Sequence, residues 1–283
     1  MKKLAIIMTG GGMKATYSVG ALLALIEKFD LKNPEMIIAG SASAGTASYF
    51  TSGQHDSIKN IWGELLSTKK LINLWKFWKI FNTDYIIDEV FKKQDILNEE
   101  EVYSSKIKEF ISVTNAKTGK VEFFSNKDEK DIFEIMRATK AIPIVYNKKI
   151  KIGNSKYIDT YLSSLGVNLK IQKAEQEGAG KIIIISPLQI NENYFVKLNG
   201  DISNNIFRIW LNFQSKEFKE NYNKQLELDK QKHNYRNLEI LTLTPKIPLK
   251  IKMLDNNYII MNKTILQGYD ETIENKEIGK FLV

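Results

Sequence analysis

The chain has no cysteine, only two histidines and no long apolar run among its 283 residues. The lack of cysteine excludes disulfides, thiolate metal sites and a cysteine nucleophile. The two histidines, His55 and His233, are too few for a histidine-rich metal site, and a Ser-His-Asp triad would have to use one of them. A membrane-spanning helix needs roughly 18 consecutive apolar residues, so we expect none here, and we find no convincing targeting segment.

Basic residues outnumber acidic ones by 41 to 33, which gives a formal net charge of +8. Such a surplus suits an anionic partner, but a lysine-rich solvated surface is the simpler explanation. The hydrophobic share of 43% and the charged share of 26% exclude a disordered chain and a polytopic membrane protein. We expect a cytoplasmic protein that does not bind nucleic acid.

Short apolar runs alternate with helical patterns along the chain. Leu4–Met8 and Met36–Ala39 have the apolar character of strands buried on both faces, and a helical pattern follows each of them. This alternation predicts an α/β fold with a mostly parallel sheet covered on both faces, residues 1–283 forming one domain. Residues 56–108 have the pattern of a helical, aromatic-rich insert. We expect further strands at 110–114, 121–124, 150–152, 156–158, 182–185 and 238–243, and helices at 13–29, 44–51, 132–141, 204–235 and 262–277.

A glycine-rich turn, Gly10-Gly11-Gly12, lies between the first strand and the first helix. Consecutive glycines let several backbone N–H groups point in one direction, and the helix N-terminus adds a positive dipole. The turn is therefore suited to an anion, either a phosphate or the oxyanion of a reaction intermediate. Lys14, one step into the helix, is a candidate for binding a phosphate headgroup; the alternative is that it faces solvent.

The second turn, residues 40–45, has the sequence Gly-Ser-Ala-Ser-Ala-Gly between another buried strand and another helix. Ser43-Ala44-Gly45 matches the end of the Gly-x-Ser-x-Gly nucleophile elbow, with Ser41 in place of the first glycine. Small residues are needed there because the strand and helix backbones come close together. Ser43 is therefore the candidate nucleophile, and the simpler alternative is a small-residue turn whose serine caps the helix.

Three interpretations of these turns are open. A dinucleotide site would use the glycine turn, but the second strand does not end in the acidic residue that this fingerprint requires. An α/β-hydrolase triad would use Ser43, Asp159 and His233, but only two strands precede the serine and the histidine lies in a polar stretch. In the third interpretation Asp159, at the end of a short strand, takes the proton of Ser43 directly.

Four segments together resemble the patatin-like phospholipases. Gly10–Lys14 is similar to the family's G-G-G-x-R/K oxyanion turn, and Ser43-Ala44-Gly45 is similar to its nucleophile block. Residues 137–143, Arg-Ala-Thr-Lys-Ala-Ile-Pro, resemble its A-S-x-A-x-P segment, and Tyr157-Ile158-Asp159 resembles the Y-x-D that carries its aspartate. The likeness covers about residues 4–187, and the four motifs occur in the family's order.

The resemblance implies a three-layer α/β/α fold and a serine acyl hydrolase of phospholipase A or lysophospholipase type, acting on lipid esters without metal or cofactor. Ser43 would attack the ester carbonyl to form an acyl-enzyme, with Asp159 acting first as base and then as acid. The oxyanion would be bound by Gly10, Gly11, Gly12 and Ala44.

Two features bear on the activity of such a pair. A carboxylate is a weak base unless its pKa is raised, so we expect an apolar wall of Ile142, Val145 and Tyr161 around Asp159. However, Thr160-Tyr161 stands where the family has Gly-Gly or Gly-Ala. A catalytically inactive relative that binds lipid or acyl groups is therefore the first alternative, and a nucleotide-binding α/β protein is the second.

The stretch Leu71–Phe81 interleaves tryptophan and phenylalanine with lysine. This composition suits a membrane interface, where the rings lie at headgroup level and the ammonium groups meet lipid phosphates. A helix packed on the sheet, or a lid over the site, would have the same composition. We expect a lipid ester as the substrate and peripheral contact with an anionic membrane through this stretch.

Overall fold

An eight-stranded sheet forms the centre of the computed structural model, which describes residues 2–72, 80–143, 145–146, 148–160, 166–188, 209–230, 235 and 237–283. The strand order is β5-β6-β3-β2-β1-β7-β8, with β4 paired to β3. The five strands from β3 to β8 in this order are parallel, and β4, β5 and β6 extend the sheet with antiparallel pairs. The strands are β1 (Lys3–Met8), β2 (Met36–Gly40), β3 (Lys108–Asn115), β4 (Val121–Ser125), β5 (Ile150–Ile152), β6 (Ser155–Ile158), β7 (Ala179–Ile185) and β8 (Glu239–Leu243).

Helices connect these strands and cover the sheet. They are α1 (Thr16–Phe29), α2 (Ser43–Thr51), α3 (His55–Asn60), α4 (Glu99–Ser104), α5 (Ile132–Thr139), α6 (Val167–Gln176), α7 (Lys216–Lys230), α8 (Tyr258–Ile273) and α9 (Glu277–Leu282). A 3₁₀ turn (Gly12–Ala15) precedes α1, and two π-helical segments cover Ile61–Leu65 and Tyr85–Gln94.

Side chains of the central strands alternate between two apolar clusters. Ile6 and Met8 of β1 belong to the larger cluster, whereas Ala5 and Ile7 belong to the smaller one on the opposite face. Residues of α1, α2, α5 and α8 complete the larger cluster, and residues of α6 complete the smaller one. Because both faces of the sheet are covered, the predicted α/β fold with a mostly parallel central sheet and flanking helices is confirmed.

One edge of β3 brings two distant chain segments together. β2 pairs with β3 as far as Gly40 and Ser112, and β6 pairs with β3 at Thr114 and Ile158. β4 occupies the other edge of β3 along the same residues. β2 and β6 therefore lie end to end on one edge, and the chain leaving β2 meets the chain leaving β6.

Helix α1, which follows the glycine turn, packs on α8 through backbone contacts. A Cβ on Gly20 would lie 1.9 Å from the Ile265 carbonyl oxygen, and a Cβ on Gly268 would lie 2.1 Å from the Tyr17 carbonyl oxygen. Only glycine allows so close an approach of the two helices. The glycine turn is thus supported from behind by a helix near the end of the chain.

The structure differs from the sequence predictions mainly in the last third of the chain. The helix predicted over 204–235 is interrupted at 213–215, because the Ser215 hydroxyl accepts the Phe218 N–H at 3.1 Å and α7 begins only at Lys216. Residues 204–208 and 231–234 are outside the described ranges. The last long helix begins at Tyr258 rather than 262, because the Asn257 side chain caps it.

The predicted insert 56–108 contains α3, both π-helical segments and α4. Ile72 and Phe81 form an antiparallel bridge, so the two ends of the aromatic stretch meet. Residues 73–79 of that stretch, including its two tryptophans, do not belong to the described part of the chain. No described helix combines the length and apolar character that crossing a membrane requires.

Candidate active site

Ser41, the first residue after β2, occupies the sharp turn into α2. Its φ of +53° is in a region that residues other than glycine rarely adopt. Two hydrogen bonds hold it there: its N–H donates to Thr139 Oγ1 at 2.7 Å, and its carbonyl oxygen accepts the Ala44 N–H at 3.3 Å. Ser41 is half-buried, whereas Ser43 is only 1% exposed.

The Ser41 hydroxyl donates a hydrogen bond to Asp159 Oδ2 at 2.8 Å. Asp159 directly follows β6 and is fully buried. Its N–H donates to the Ala141 carbonyl oxygen at 3.1 Å, which fixes the backbone of the aspartate. The end-to-end placement of β2 and β6 on β3 therefore produces a serine-aspartate pair from residues far apart in the sequence.

Ser43, which the elbow motif indicated as the nucleophile, has a different environment. It begins α2, is 1% exposed, and donates through Oγ to the Thr9 carbonyl oxygen at 2.7 Å. Because Thr9 follows β1, this bond ties α2 to the glycine turn. The hydroxyl that bonds Asp159 is that of Ser41, two residues before the predicted nucleophile, and the role of Ser43 stays a prediction.

The sequence does contain a signal for the earlier frame. Residues 39–43, Ala-Gly-Ser-Ala-Ser, also fit the elbow pattern if alanine and serine replace its two glycines. A Cβ on Gly40 would lie 2.4 Å from Ser112 Oγ, so the last strand residue must be glycine. Counting from the end of the buried strand, rather than from the later glycine, would have indicated Ser41.

The glycine turn lies directly beside Ser41. A Cβ on Gly10 would lie 2.8 Å from Ser41 Cβ. Gly11 and Gly12 have φ values of +150° and +57°, and a Cβ on Gly12 would lie 2.6 Å from the Met253 carbonyl oxygen. The three glycine N–H groups donate to no other group in the part of the chain that the structure describes, so they are available to an oxyanion beside Ser41.

Ala44, the predicted fourth oxyanion donor, has its N–H engaged within the turn, where it donates to the Ser41 carbonyl oxygen. Ala42, the residue after Ser41, has an N–H with no partner among the described residues. An elbow supplies an oxyanion donor from the residue after its nucleophile, so Ala42 has this position relative to Ser41.

Hydroxyl side chains hold the elbow in place, one of them from the segment 137–143. Thr139 Oγ1, besides accepting the Ser41 N–H, donates to the Ser112 carbonyl oxygen at 2.7 Å. Ser112 Oγ lies 3.3 Å from Thr160 Oγ1 and is buried with it beside Gly40. Thr160 is therefore accommodated without separating Asp159 from Ser41. Residue 161 is beyond the described range.

A buried lysine and a buried glutamate lie near Asp159. Burial lowers the pKa of Lys140 to about 8 and raises the pKa of Glu109 to about 8. Lys140 is close enough to Asp159 and Glu109 for both carboxyl groups to oppose its shift. The expected wall around Asp159 is therefore not purely apolar, and nothing in the motif pattern indicated a buried lysine there.

An apolar cavity extends from the elbow. Its wall includes Ala42, Gly45 and Thr46 of the elbow segment, and Lys140 is the one charged residue among its described lining. A Cβ on Gly45 would lie 2.6 Å from Phe91 Cζ, so this glycine lets α2 approach the cavity wall. The other lining residues are Met13, Tyr49, Ile58, Ile61, Trp62, Leu66, Phe81, Ile86 and Phe91.

The histidines do not join the site in the described structure. His55 is half-buried, stacks on Phe50 with ring centroids 5.3 Å apart, and has a pKa lowered by burial. His233 lies in a segment that the structure does not describe, so the triad interpretation is not tested by it. Lys14 is half-buried in the 3₁₀ turn after the glycines, and its role in binding a headgroup stays a prediction.

Comparison with known proteins agrees with this arrangement. The model of the patatin-like phospholipase family matches residues 6–166, more than half of the chain. Comparison with curated protein sequences gives no match. Among solved structures, VipD from Legionella pneumophila is similar with a TM-score of 0.57 and 13% identity, over 97% of this chain and 66% of that protein's length, which shows a shared fold. The chain belongs to the patatin-like phospholipase family.

Proposed function

We propose that the protein is a serine acyl hydrolase that cleaves carboxylic esters of lipids, with Ser41 as nucleophile and Asp159 as its base. The observation that carries this proposal is the 2.8 Å hydrogen bond from Ser41 Oγ to Asp159 Oδ2 at a turn with positive φ. Membership of a family of lipid acyl hydrolases supports the reaction class. The position of the glycine turn beside Ser41 supports it further.

In the acylation step, Ser41 Oγ attacks the ester carbonyl carbon while its proton passes to the Asp159 carboxylate. The negative charge then develops on the former carbonyl oxygen. The N–H groups of the glycine turn and of Ala42 stabilise this oxyanion, together with the N-terminal end of α2. When the intermediate collapses, the alcohol leaves with the proton from Asp159, and the acyl group remains on Ser41.

Deacylation repeats these roles with water. Asp159 takes a proton from the attacking water, the same N–H groups bind the second oxyanion, and collapse returns the proton to Ser41 Oγ. The products are the free carboxylic acid and the regenerated serine. No other group has to donate or accept a proton in this scheme.

The surroundings of Ser41 are consistent with a lipid substrate. The cavity beside Ala42 and Gly45 has apolar walls, but its volume of about 20 Å³ holds little more than one water molecule, so an acyl chain would enter only after the cavity opens. Lys14, after the glycine turn, is the candidate contact for a phosphate headgroup. Contact with an anionic membrane through Leu71–Phe81 stays a prediction from the sequence. Residues 73–79 of that stretch lie outside the described part of the chain.

Fluorophosphonate labelling followed by peptide mapping tests the nucleophile. We expect one adduct on Ser41, lost in Ser41→Ala and kept in Ser43→Ala, because Ser41 is less buried than Ser43 and its hydroxyl is bonded to Asp159. The two variants are matched, since each removes one hydroxyl from the same turn. Labelling of Ser43 would reverse the assignment, and no labelling of the folded wild type would favour the inactive relative.

Once Ser41 is labelled, a second experiment identifies the substrate class. Release of fatty acid from phospholipid, lysophospholipid and a neutral p-nitrophenyl ester would be measured in parallel for the wild type and Ser41→Ala. Hydrolysis of a lipid ester that disappears in Ser41→Ala is the expected result. An intact serine probe reaction without hydrolysis of any lipid ester would contradict the proposed substrate class.

A further inference from the structure

Lys140 is a buried charged residue that interacts electrostatically with Asp159 of the proposed catalytic pair. Its side chain is 4% exposed, it lines the cavity that begins at Ala42, and its Nζ has no hydrogen-bond partner among the described residues. Taking an ammonium group out of water is unfavourable unless an opposite charge compensates it. A lysine in this position therefore requires a nearby anion.

The backbone fixes Lys140 beside Asp159. Lys140 immediately follows α5, and its carbonyl oxygen accepts a bond from Thr83 Oγ1 at 3.4 Å. The next residue, Ala141, accepts the Asp159 N–H at 3.1 Å. The preceding residue, Thr139, accepts the Ser41 N–H at 2.7 Å. Lys140 thus lies between Thr139, whose side chain holds the serine, and Ala141, whose backbone holds the aspartate.

Two carboxyl groups interact with the Lys140 ammonium, Asp159 most strongly and Glu109 of β3 second. The raised pKa of Glu109, about 8, keeps that carboxyl protonated at neutral pH, and Ser48 Oγ donates to its Oε1 at 2.7 Å. Tyr49 of α2 also lines the cavity, with its hydroxyl bonded to the Asp95 carbonyl oxygen. Asp159 is therefore the carboxyl group that interacts most strongly with Lys140.

Other charges near this point are already engaged. Arg137 lies three residues earlier on α5, and its guanidinium pairs with Asp84 at 2.6 Å, Asp88 at 2.7 Å and Glu134 at 3.0 Å. An anionic group on the substrate is a less suitable partner for Lys140, because the Asp159 carboxylate would repel a second anion beside it.

We propose that Lys140 is a positioning residue that holds the Asp159 carboxylate ionised and directed at Ser41. This inference rests on the proposed function, because it assigns Lys140 a role through the Ser41–Asp159 pair. Without a buried cation, an aspartate enclosed by the core would take up a proton more readily and could no longer accept the serine proton. Lys140 acts on the reaction through Asp159, and its side chain also lines the apolar cavity beside the elbow.

The pH dependence of kcat/KM for p-nitrophenyl butyrate tests this role. In Lys140→Met, which keeps the length of the side chain in an apolar cavity, the acidic limb is expected to move up by on the order of one pH unit. On the part of the limb where activity rises with pH, activity relative to the plateau would then fall by up to about tenfold. Lys140→Arg keeps the charge and is expected to retain the wild-type limb.

Glu109→Gln is the matched control for a purely structural effect. It changes the same buried cluster but leaves the charge of Lys140, and Glu109 is protonated over the acidic limb, so that limb should not move. Identical acidic limbs in Lys140→Met and the wild type would overturn the proposal. Equal shifts in Lys140→Met and Glu109→Gln would overturn it as well, since they would report only a disturbed core.

A measurement without activity separates this inference from the proposed function. Denaturant unfolding of Lys140→Met, Asp159→Asn and the double variant gives the coupling of the two residues, and we expect the effects to be non-additive. Additive effects would overturn the inference even in an active enzyme. Non-additive effects in a protein that hydrolyses no ester would support the charge pair and count against the proposed function alone. If Lys140→Met does not fold, Lys140→Gln replaces it in both experiments.

Discussion

Two strand-to-helix turns form the candidate site, and they depend on different parts of the chain. The turn after β1 contributes backbone N–H groups and needs glycine at positions where φ is positive or a neighbour is too close. The turn after β2 contributes a side chain, and the residue with positive φ is Ser41 rather than a glycine. The first turn is therefore visible in the sequence as glycines, whereas the second is visible only as a run of small residues.

The comparison of the two turns shows which site residues a sequence motif can identify. Three consecutive glycines mark the residues of the first turn individually, because each has a conformation or contact that other residues would not tolerate. In the second turn serine and alanine alternate, so two overlapping frames fit the elbow pattern. The difference between Ser41 and Ser43 comes from where β2 ends and from the bonds to Thr139 and Asp159.

The largest loss of activity is expected from replacing Asp159, the proposed base, which contacts the second turn. Asp159→Asn keeps the shape of the side chain but cannot accept the Ser41 proton, so kcat should fall by roughly 10²–10⁴. KM should change little, because Asp159 is buried behind the serine. Steady-state kinetics with a soluble ester checks this, and circular dichroism confirms the fold. Full activity in the folded variant would rule out the serine-aspartate pair.

A smaller loss of activity is expected when a methyl group is added to the first turn where it contacts the second turn. Gly10→Ala places a methyl group 2.8 Å from Ser41 Cβ, which displaces either the serine or the oxyanion donors. We expect kcat to fall by about 10², the size of effect seen when one oxyanion donor is lost. Gly279→Ala is the matched control, because a Cβ there meets nothing within 4 Å. Equal activity of the two variants would show that the turns are not coupled.

A weaker and substrate-dependent effect is expected at Lys14. If its ammonium meets a lipid phosphate at the first turn, Lys14→Ala should reduce kcat/KM for phospholipid by a few-fold, typical of a partly solvated ion pair of up to ~1 kcal/mol. Hydrolysis of a neutral p-nitrophenyl ester should be unchanged. Parallel assays of both substrates provide the check. Equal losses on the two substrates would assign Lys14 to the structure of the turn instead.

Much of the fold could be predicted from the sequence, because its signals are local. Buried parallel strands appear as short apolar runs, and all the strands predicted from them are present within a few residues. The family was also readable from four short motifs. Helix limits near Ser215 and Asn257 were missed because single side-chain caps decide them.

The site was less predictable, since its decisive contacts join residues distant in sequence. Asp159 was predicted because it follows a motif, and the glycine turn because of its composition. Thr139 belongs to the segment 137–143, but neither its bond to Ser41 nor its bond to Ser112 could be predicted from that segment. Lysine side chains are usually found at the surface, so the sequence did not predict that Lys140 is buried. Its burial follows from the packing of α5 against β3.

The smallest effect on catalysis is expected at Ser43, although it is the serine that the motif favoured. Its hydroxyl is buried and bonded to the Thr9 carbonyl oxygen, so Ser43→Ala leaves that acceptor without its donor and should lower the free energy of unfolding by about 1–2 kcal/mol. Ser41 and Asp159 are untouched, so kcat should remain within about threefold of the wild type, a change of under ~1 kcal/mol in activation free energy. Urea unfolding and ester hydrolysis of one preparation measure both quantities. A stable but inactive Ser43→Ala would mean that Ser43 is the catalytic serine, and that the later of the two frames of the elbow pattern applies to the second turn.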